Sequence, residues 1–278
     1  ARHEGAALDH DRRALETAAP LAPTASAPSA DDIVHFPRGA AAGECLHALF
    51  ERIDFTDPAS FPGAIDTALR TRPPGVAAGG AAHLLREMLA RLLGDVLQTP
   101  LPAGTRLADV PRARRGVELE FNLASQRLSA TGLAAVLREH GYPVPPLAFG
   151  ALQGYLRGFI DLVFEHAGRF YVLDWKSNHL GNAPADYASE PVARAMDEHA
   201  YHLQYLLYTL AVHRYLQQRL PGYAYETHFG GVLYLFVRGV RPHWIGPDGA
   251  ACGVFAHRPT LHAIEQLSAL LESIREAA

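Results

Sequence analysis

The sequence predicts an α/β domain, and three observations support that class. Apolar residues recur at helical spacing in several segments. Val117 to Leu123 alternates between apolar and polar residues, as a half-buried strand does. Two apolar runs, Tyr155 to Phe164 and Phe170 to Lys176, flank the polar connection Glu165-His166-Ala167-Gly168-Arg169 and read as a strand pair. Helix and strand signals alternate along the chain rather than segregating, which favours one layered α/β unit.

Residues 1–32 are rich in Ala, Pro and Ser and read as a linker or tether, partly disordered, with the folded domain over 33–278. Ala40 to Ile53 has helical spacing, with Leu46, Leu49, Phe50 and Ile53 on one face. A second helix is expected from Ala81 to Leu97, with Leu84, Leu85, Met88, Leu92 and Val96 inward. In the strand Val117 to Leu123, residues Leu119, Phe121 and Leu123 point one way, and Glu118, Glu120 and Asn122 the other. Gly132 to Glu139 reads as a short helix. Helices are expected over Pro191–His199 and Tyr201–Arg219, and a strand over Gly231–Val237. Pro259 to Glu276 is an amphipathic helix with Leu261, Ile264, Leu267, Leu271 and Ile274 on one stripe.

Composition narrows the function. The 278 residues carry a formal net charge of −4, so bulk electrostatics would not coat nucleic acid. Any such contact is local, or the strand is delivered by a partner. The two cysteines, Cys45 and Cys252, cannot supply the four ligands of a zinc ribbon or an iron–sulfur cluster, and a reduced cytoplasmic setting is expected. No apolar run reaches the ~18 residues of a membrane span, so no membrane partner is expected. The chain has no Gly-x-x-x-x-Gly-Lys-Ser/Thr loop and hence no expected ATP site. It begins Ala1-Arg2-His3, which suggests a piece of a longer polypeptide.

Lys176 is the only lysine among the 25 basic residues. Arginine and lysine stop being interchangeable where a compact ammonium must fit beside a reacting group. If the turn centres on Ala167-Gly168, with His166 opposite Arg169, the same register sets Asp161 opposite Asp174, and alternation puts Lys176 on that face. Two facing carboxylates in an apolar sheet repel, so one takes a proton or a cation sits between them. Oxygen ligands favour Mg²⁺, with Mn²⁺ or Ca²⁺ as other occupants, over softer metals. A buried Asp–Lys salt bridge is the plainer reading of Asp-x-Lys alone. The second aspartate and the single lysine weigh against it.

Gly158-Phe159-Ile160-Asp161 followed by Leu173-Asp174-Trp175-Lys176-Ser177-Asn178 resembles the PD-(D/E)xK nuclease signature. Three further stretches narrow the resemblance to the C-terminal nuclease domains of RecB-type helicase–nuclease subunits. They are His35-Phe36-Pro37-Arg38-Gly39, His199-Ala200-Tyr201-His202-Leu203-Gln204-Tyr205 and His228-Phe229-Gly230-Gly231-Val232-Leu233-Tyr234-Leu235-Phe236. The resemblance covers roughly residues 33 to 276. It implies a restriction-endonuclease-like core with a mixed central sheet flanked by helices, and Mg²⁺-dependent hydrolysis of DNA phosphodiesters during double-strand-break repair. It further implies that Asp161 and Asp174 bind the metal, that the carbonyl of Trp175 and His47 add ligands, and that Lys176 orients or activates the attacking water. Glu118 matches the acidic residue of the first core motif, with Glu120 as the alternative two residues on. Gln204 and Tyr208, four apart on one helix face, would point together at the site and its substrate.

The best local basic patch is Arg112, Arg114 and Arg115, a candidate DNA contact. The resemblance implies an upstream helicase part of the same polypeptide and RecC and RecD subunits as partners. A contrasting reading makes the domain a docking module, for instance for the RecA recombinase, using the Leu261–Ile274 stripe.

Overall fold

The computed structural model describes residues 28–75, 81–102 and 104–272. Five strands form one mixed sheet: β1 (Arg115–Ser129), β2 (Ala151–His166), β3 (Arg169–Lys176), β4 (Phe229–Phe236) and β5 (Val254–His257). They lie in the order β1-β2-β3-β4-β5, with β3 and β4 parallel and the other neighbours antiparallel. Helices cover both faces, so the central strands are apolar on both sides, as parallel pairs require.

On one face lie α1 (Ala40–Arg52), α2 (Phe61–Thr71) and α3 (Ala81–Gln98). They pack on Leu162, Phe164, Leu173, Trp175, Leu233 and Leu235. The other face carries α4 (Ala130–Glu139), α5 (Ser189–Glu198), α6 (Tyr201–Arg219), the single turn α7 (Tyr225–His228) and α8 (Leu261–Glu272). These cover Ile160, Val163, Val172, Val232, Tyr234 and Phe236. The sequence reading missed α2 and β5. Helix α2 begins Phe61-Pro62-Gly63, two poor helix formers in its first turn, and β5 is only four residues long.

The β2–β3 turn is as expected: His166 pairs with Arg169, and Ala167 (φ 49°) and Gly168 (φ 77°) are both left-handed. Two left-handed central residues give the turn whose twist matches antiparallel strands. The register runs to Leu162 opposite Leu173, one step short of Asp161 and Asp174.

Strand β1 departs from simple alternation. Val117 pairs with Leu162 and Leu119 with Ile160, so Glu118 and Asp161 are left out of the ladder. Glu118 sits at φ 51°. The irregularity inverts the faces: Val117 and Leu162 pack toward α1–α3, whereas Phe121, Leu123 and Ile160 pack toward the opposite helices. Leu119, on the same face as Phe121 and Leu123, is 39% exposed.

The expected tether is placed only in its last residues, since 1–27 lie outside the described residues. Asp32 is buried, accepts a fork from Arg241 (Nη1 to Oδ2, 2.7 Å) and caps the turn Ile33–His35 through Val34 N–H. Packed structure therefore begins before residue 33. The stripe of α8 is core: Ile264, Leu267 and Leu271 are buried against the sheet, and Ile274 lies outside the described residues. That removes the surface on which the docking reading rested. Among the described residues, no helix is long and apolar enough to cross a membrane.

Candidate active site

Where β2 and β3 part company, three charged side chains meet. Asp161 Oδ2 accepts from Trp175 N–H at 2.8 Å, so a carboxylate replaces the next rung of the ladder. Lys176 Nζ lies 2.6 Å from Asp174 Oδ1. All three are largely removed from solvent: Asp161 is 9%, Asp174 2% and Lys176 5% exposed. The Trp175 ring points away, stacked on Phe50 at 4.0 Å and edge-on to Phe55 at 6.4 Å. Alternation explains this, since Asp174 and Lys176 share the face that Trp175 avoids.

Helix α6 fixes the lysine. Lys176 Nζ donates to Gln204 Oε1 at 3.0 Å, which also accepts from the Tyr234 hydroxyl at 3.0 Å. Gln204 Nε2 donates to the Tyr208 hydroxyl at 2.9 Å. The ammonium lies 3.9 Å from the Tyr201 ring centre and 5.1 Å from that of Tyr234. Cations are drawn to such ring faces, more so when desolvated. The amide of Gln204 is thus committed to Lys176 and its neighbours. Tyr208 is buried and takes Phe121 edge-on at 5.6 Å. Gly158, opposite Phe121, leaves room for that ring: a Cβ there would meet it at 2.7 Å.

His47, on α1, sets its Nδ1 3.4 Å from Asp161 Oδ2. Burial opposes a charge on His47, but Asp161 overcomes this and holds the imidazole up at about 9. Asp161 is pushed upward by burial, yet His47 and the Trp175 N–H bring it below the usual carboxylate range. For Asp174, burial dominates and raises the carboxyl to about 7 against the pull of Lys176, with Asp161 adding to the rise. Burial also opposes the charge on Lys176, but Asp174 keeps the ammonium above its ordinary range. Glu118 is raised by burial, then by Asp161 and Glu51. The left-handed residue opposite Asp161 is therefore electrostatically part of this group. Glu120 instead pairs with Arg157 at 2.8 Å on the exposed ribbon face.

This arrangement suits a divalent cation. Asp174 Oδ1 is buried and accepts no well-aligned hydrogen bond, despite its ion pair with Lys176. A protonated His47 and a raised Asp174 are what crowded carboxylates produce without such a charge. Asp161, Asp174 and His47 are the side chains here that could hold such an ion, and a mainly oxygen donor set suits Mg²⁺ or Mn²⁺. Among the described residues, the three side chains whose ligand atoms all lie within 4.8 Å of one another are a separate surface group, Glu139, His140 and His262; His47, Asp161 and Asp174 are spread more widely than that. The surface group is tied together by Gln266 (3.0 Å to His140 Nε2, 2.8 Å to Glu139 Oε1) and contains none of the buried acids.

The basic patch divides. The Arg115 side chain is 2% exposed; it donates to Ile53 O at 3.0 Å, pairs with Asp54 at 3.4 Å and covers the Phe55 ring at 3.9 Å. It faces the core and is withdrawn as a substrate contact. Arg114 pairs with Glu165 at 3.4 Å, and Arg112 is exposed. Sequence reading also missed Arg238. It is buried and donates to Ile33 O, Phe36 O and Ser177 O at 2.8–2.9 Å. It thereby ties the His35–Gly39 segment to the chain just beyond Lys176. Among 24 arginines, nothing local marks it.

Comparison with known proteins shows the family of the chain. The family described as the PD-(D/E)XK nuclease superfamily matches residues 27–278. The chain is 45% identical over 210 residues to RecBCD enzyme subunit RecB of Escherichia coli, covering 74% of this chain and 17% of that protein. It is 37% identical over 240 residues to the Haemophilus influenzae subunit, covering 85% and 19%. For the Mycolicibacterium smegmatis subunit the identity is 34% over 284 residues, covering 91% and 26%. The chain therefore spans about a fifth to a quarter of the length of these relatives.

Proposed function

Because the chain belongs to the PD-(D/E)XK nuclease superfamily, we propose that it hydrolyses DNA phosphodiesters with a divalent metal, as the nuclease part of a RecB-like helicase–nuclease. The observation that carries this reading is the junction of Asp161, Asp174 and Lys176 at one buried point. The metal, proposed as Mg²⁺, would be held by Asp161, Asp174, His47 and the Trp175 carbonyl. When bound it supplies Lewis-acid polarisation of the phosphoryl oxygen and a more acidic water.

The remaining chemistry belongs to the chain. Lys176 is held as an ammonium, so it orients the attacking water and offsets charge developing on the phosphate rather than abstracting a proton. Gln204, Tyr201 and Tyr234 fix where that charge sits. Glu118 completes the acidic group from β1. In-line attack would leave a 5′-phosphate and a 3′-hydroxyl.

With a net charge of −4, the domain attracts DNA weakly on its own. We therefore place it, by its relatives, in a cytoplasmic assembly with RecC-like and RecD-like subunits, behind a helicase part of the same polypeptide that delivers the strand. Arg112 and Arg114 remain candidate phosphate contacts. The test is cleavage of linear duplex and single-stranded DNA by this chain, with Mg²⁺ and with chelator. Asp174→Ala should abolish cutting while keeping a cooperative melt. Retained Mg²⁺-dependent cutting by that variant would overturn the assignment.

A further inference from the structure

Beyond Asp161, β2 continues without β3, whose pairing with it stops at Leu162. Residues 151–160 and β1 form a two-stranded ribbon past the site. Its inner face is apolar: Leu123 and Ile160 are buried, and Phe121 and Leu156 are half-buried against the α6 side. Its outer face shows an unusual series, Tyr155, Arg157 and Phe159, at alternate positions of one strand. Tyr155 is 76% and Phe159 46% exposed, the Arg157 side chain is 62% exposed, and their partners across the ribbon are Ala124, Glu120 and Asn122.

This outer face is the one opposite α6, the side on which α1 and His47 lie. At ~3.3 Å per residue, Phe159 is about 7 Å and Tyr155 about 20 Å along the strand from Asp161. Two exposed rings with a cation between them, on the strand that supplies a catalytic carboxylate, match the chemistry that holds unpaired nucleotides. Bases stack on rings whatever their sequence, and a guanidinium meets the phosphate. A duplex hides its base faces in the stack, so the rings favour a single strand.

We propose that Tyr155, Arg157 and Phe159 form a stacking track that guides a single-stranded DNA segment to Asp161 and Asp174. The inference rests on the nuclease reading and names the residues that hold the strand on its way to that site. Glu120 restrains the track, because its carboxylate occupies Arg157 Nε at 2.8 Å.

The test is the binding of a labelled oligothymidylate to this chain by fluorescence anisotropy in chelator, where no cutting occurs. The wild-type chain should prefer the single strand to a blunt duplex of equal length. Tyr155→Ala and Phe159→Ala should each weaken binding about 5- to 100-fold, and Tyr155→Phe should not. Arg157→Ala should lower the salt slope of log K by about 0.7, and Glu120→Gln should tighten binding. Melting curves confirm that these exposed-site variants fold. The proposal is overturned if the alanine variants bind like wild type, as a face covered by another protein would allow, or if the wild-type chain shows no preference for single strands. Failure of the nuclease reading shows separately, as cutting by Asp174→Ala, whatever the oligonucleotide binding.

Discussion

Lys176 Nζ donates to Gln204 Oε1 at 3.0 Å, joining the end of β3 to the first turn of α6. The amide carbonyl is uncharged, so it directs the ammonium without neutralising it, and that leaves Asp174 as its charge partner. Gln204→Ala should therefore leave the fold intact and lower the turnover rate about 10- to 100-fold, the usual cost of misplacing a reacting group by about 1 Å. Single-turnover cleavage at saturating DNA measures this. An unchanged rate would remove Gln204 from the positioning machinery.

Lys176→Arg should not restore activity. The ammonium is 5% exposed, between Asp174 and the rings of Tyr201 and Tyr234. A planar guanidinium is larger and presents its donors in a fixed fork. Expected activity is at least about 100-fold below wild type, like that of Lys176→Met. Near-wild-type cutting by the arginine variant would mean that any cation suffices there.

Trp175 should matter for stability rather than chemistry. Its ring fills the core between Phe50 and Phe55. Trp175→Ala should cost about 3–5 kcal/mol of unfolding free energy. Trp175→Tyr keeps an aromatic stack and should cost less. Urea denaturation distinguishes the two, and variants that remain folded should retain metal-dependent cutting.

The buried pair Asp32–Arg241 makes stability depend on acid. Burial pushes the Asp32 carboxyl up, but the Arg241 fork and the Val34 N–H bring it below its ordinary value. A lowered folded pKa means that the unfolded chain binds the proton more readily. The stabilisation is complete above the unfolded value of about 3.9, and falls away as pH drops through the folded value. Asp32→Ala should cost about 3–5 kcal/mol at neutral pH, because Arg241 is left charged and unpaired, and its loss of stability relative to wild type should shrink in acid. Melting temperature against pH for both proteins checks this. Parallel curves would show that the pair does not carry the effect.

Much of the site was legible because the information is local. A lone lysine, an Asp-x-Lys strand end and a turn length that sets register all lie within residues 158–178. The Gln204–Tyr208 spacing was equally local, but its target was not: only packing of α6 on the sheet brings Gln204 to Lys176 rather than leaving it open to substrate. Arg115 shows the converse. Three arginines in four residues suggested a solvent-facing patch, and the fold turned one of them onto Phe55 and Asp54.

By itself the sequence determined the alternation of helices and strands, the β2–β3 register and the grouping of Asp161, Asp174 and Lys176 on that strand pair, because side-chain period and turn geometry act over a few residues. Tertiary structure alone decided that Glu118 rather than Glu120 faces Asp161, since the choice depends on a left-handed residue that inverts the faces of β1. It also decided that Arg238 and Asp32 fasten the segment around residues 32–36 to the chain beyond β3 and β4. Contacts that span some 200 positions leave no periodic trace along a chain, and become visible only when burial forces each polar group to find its partner.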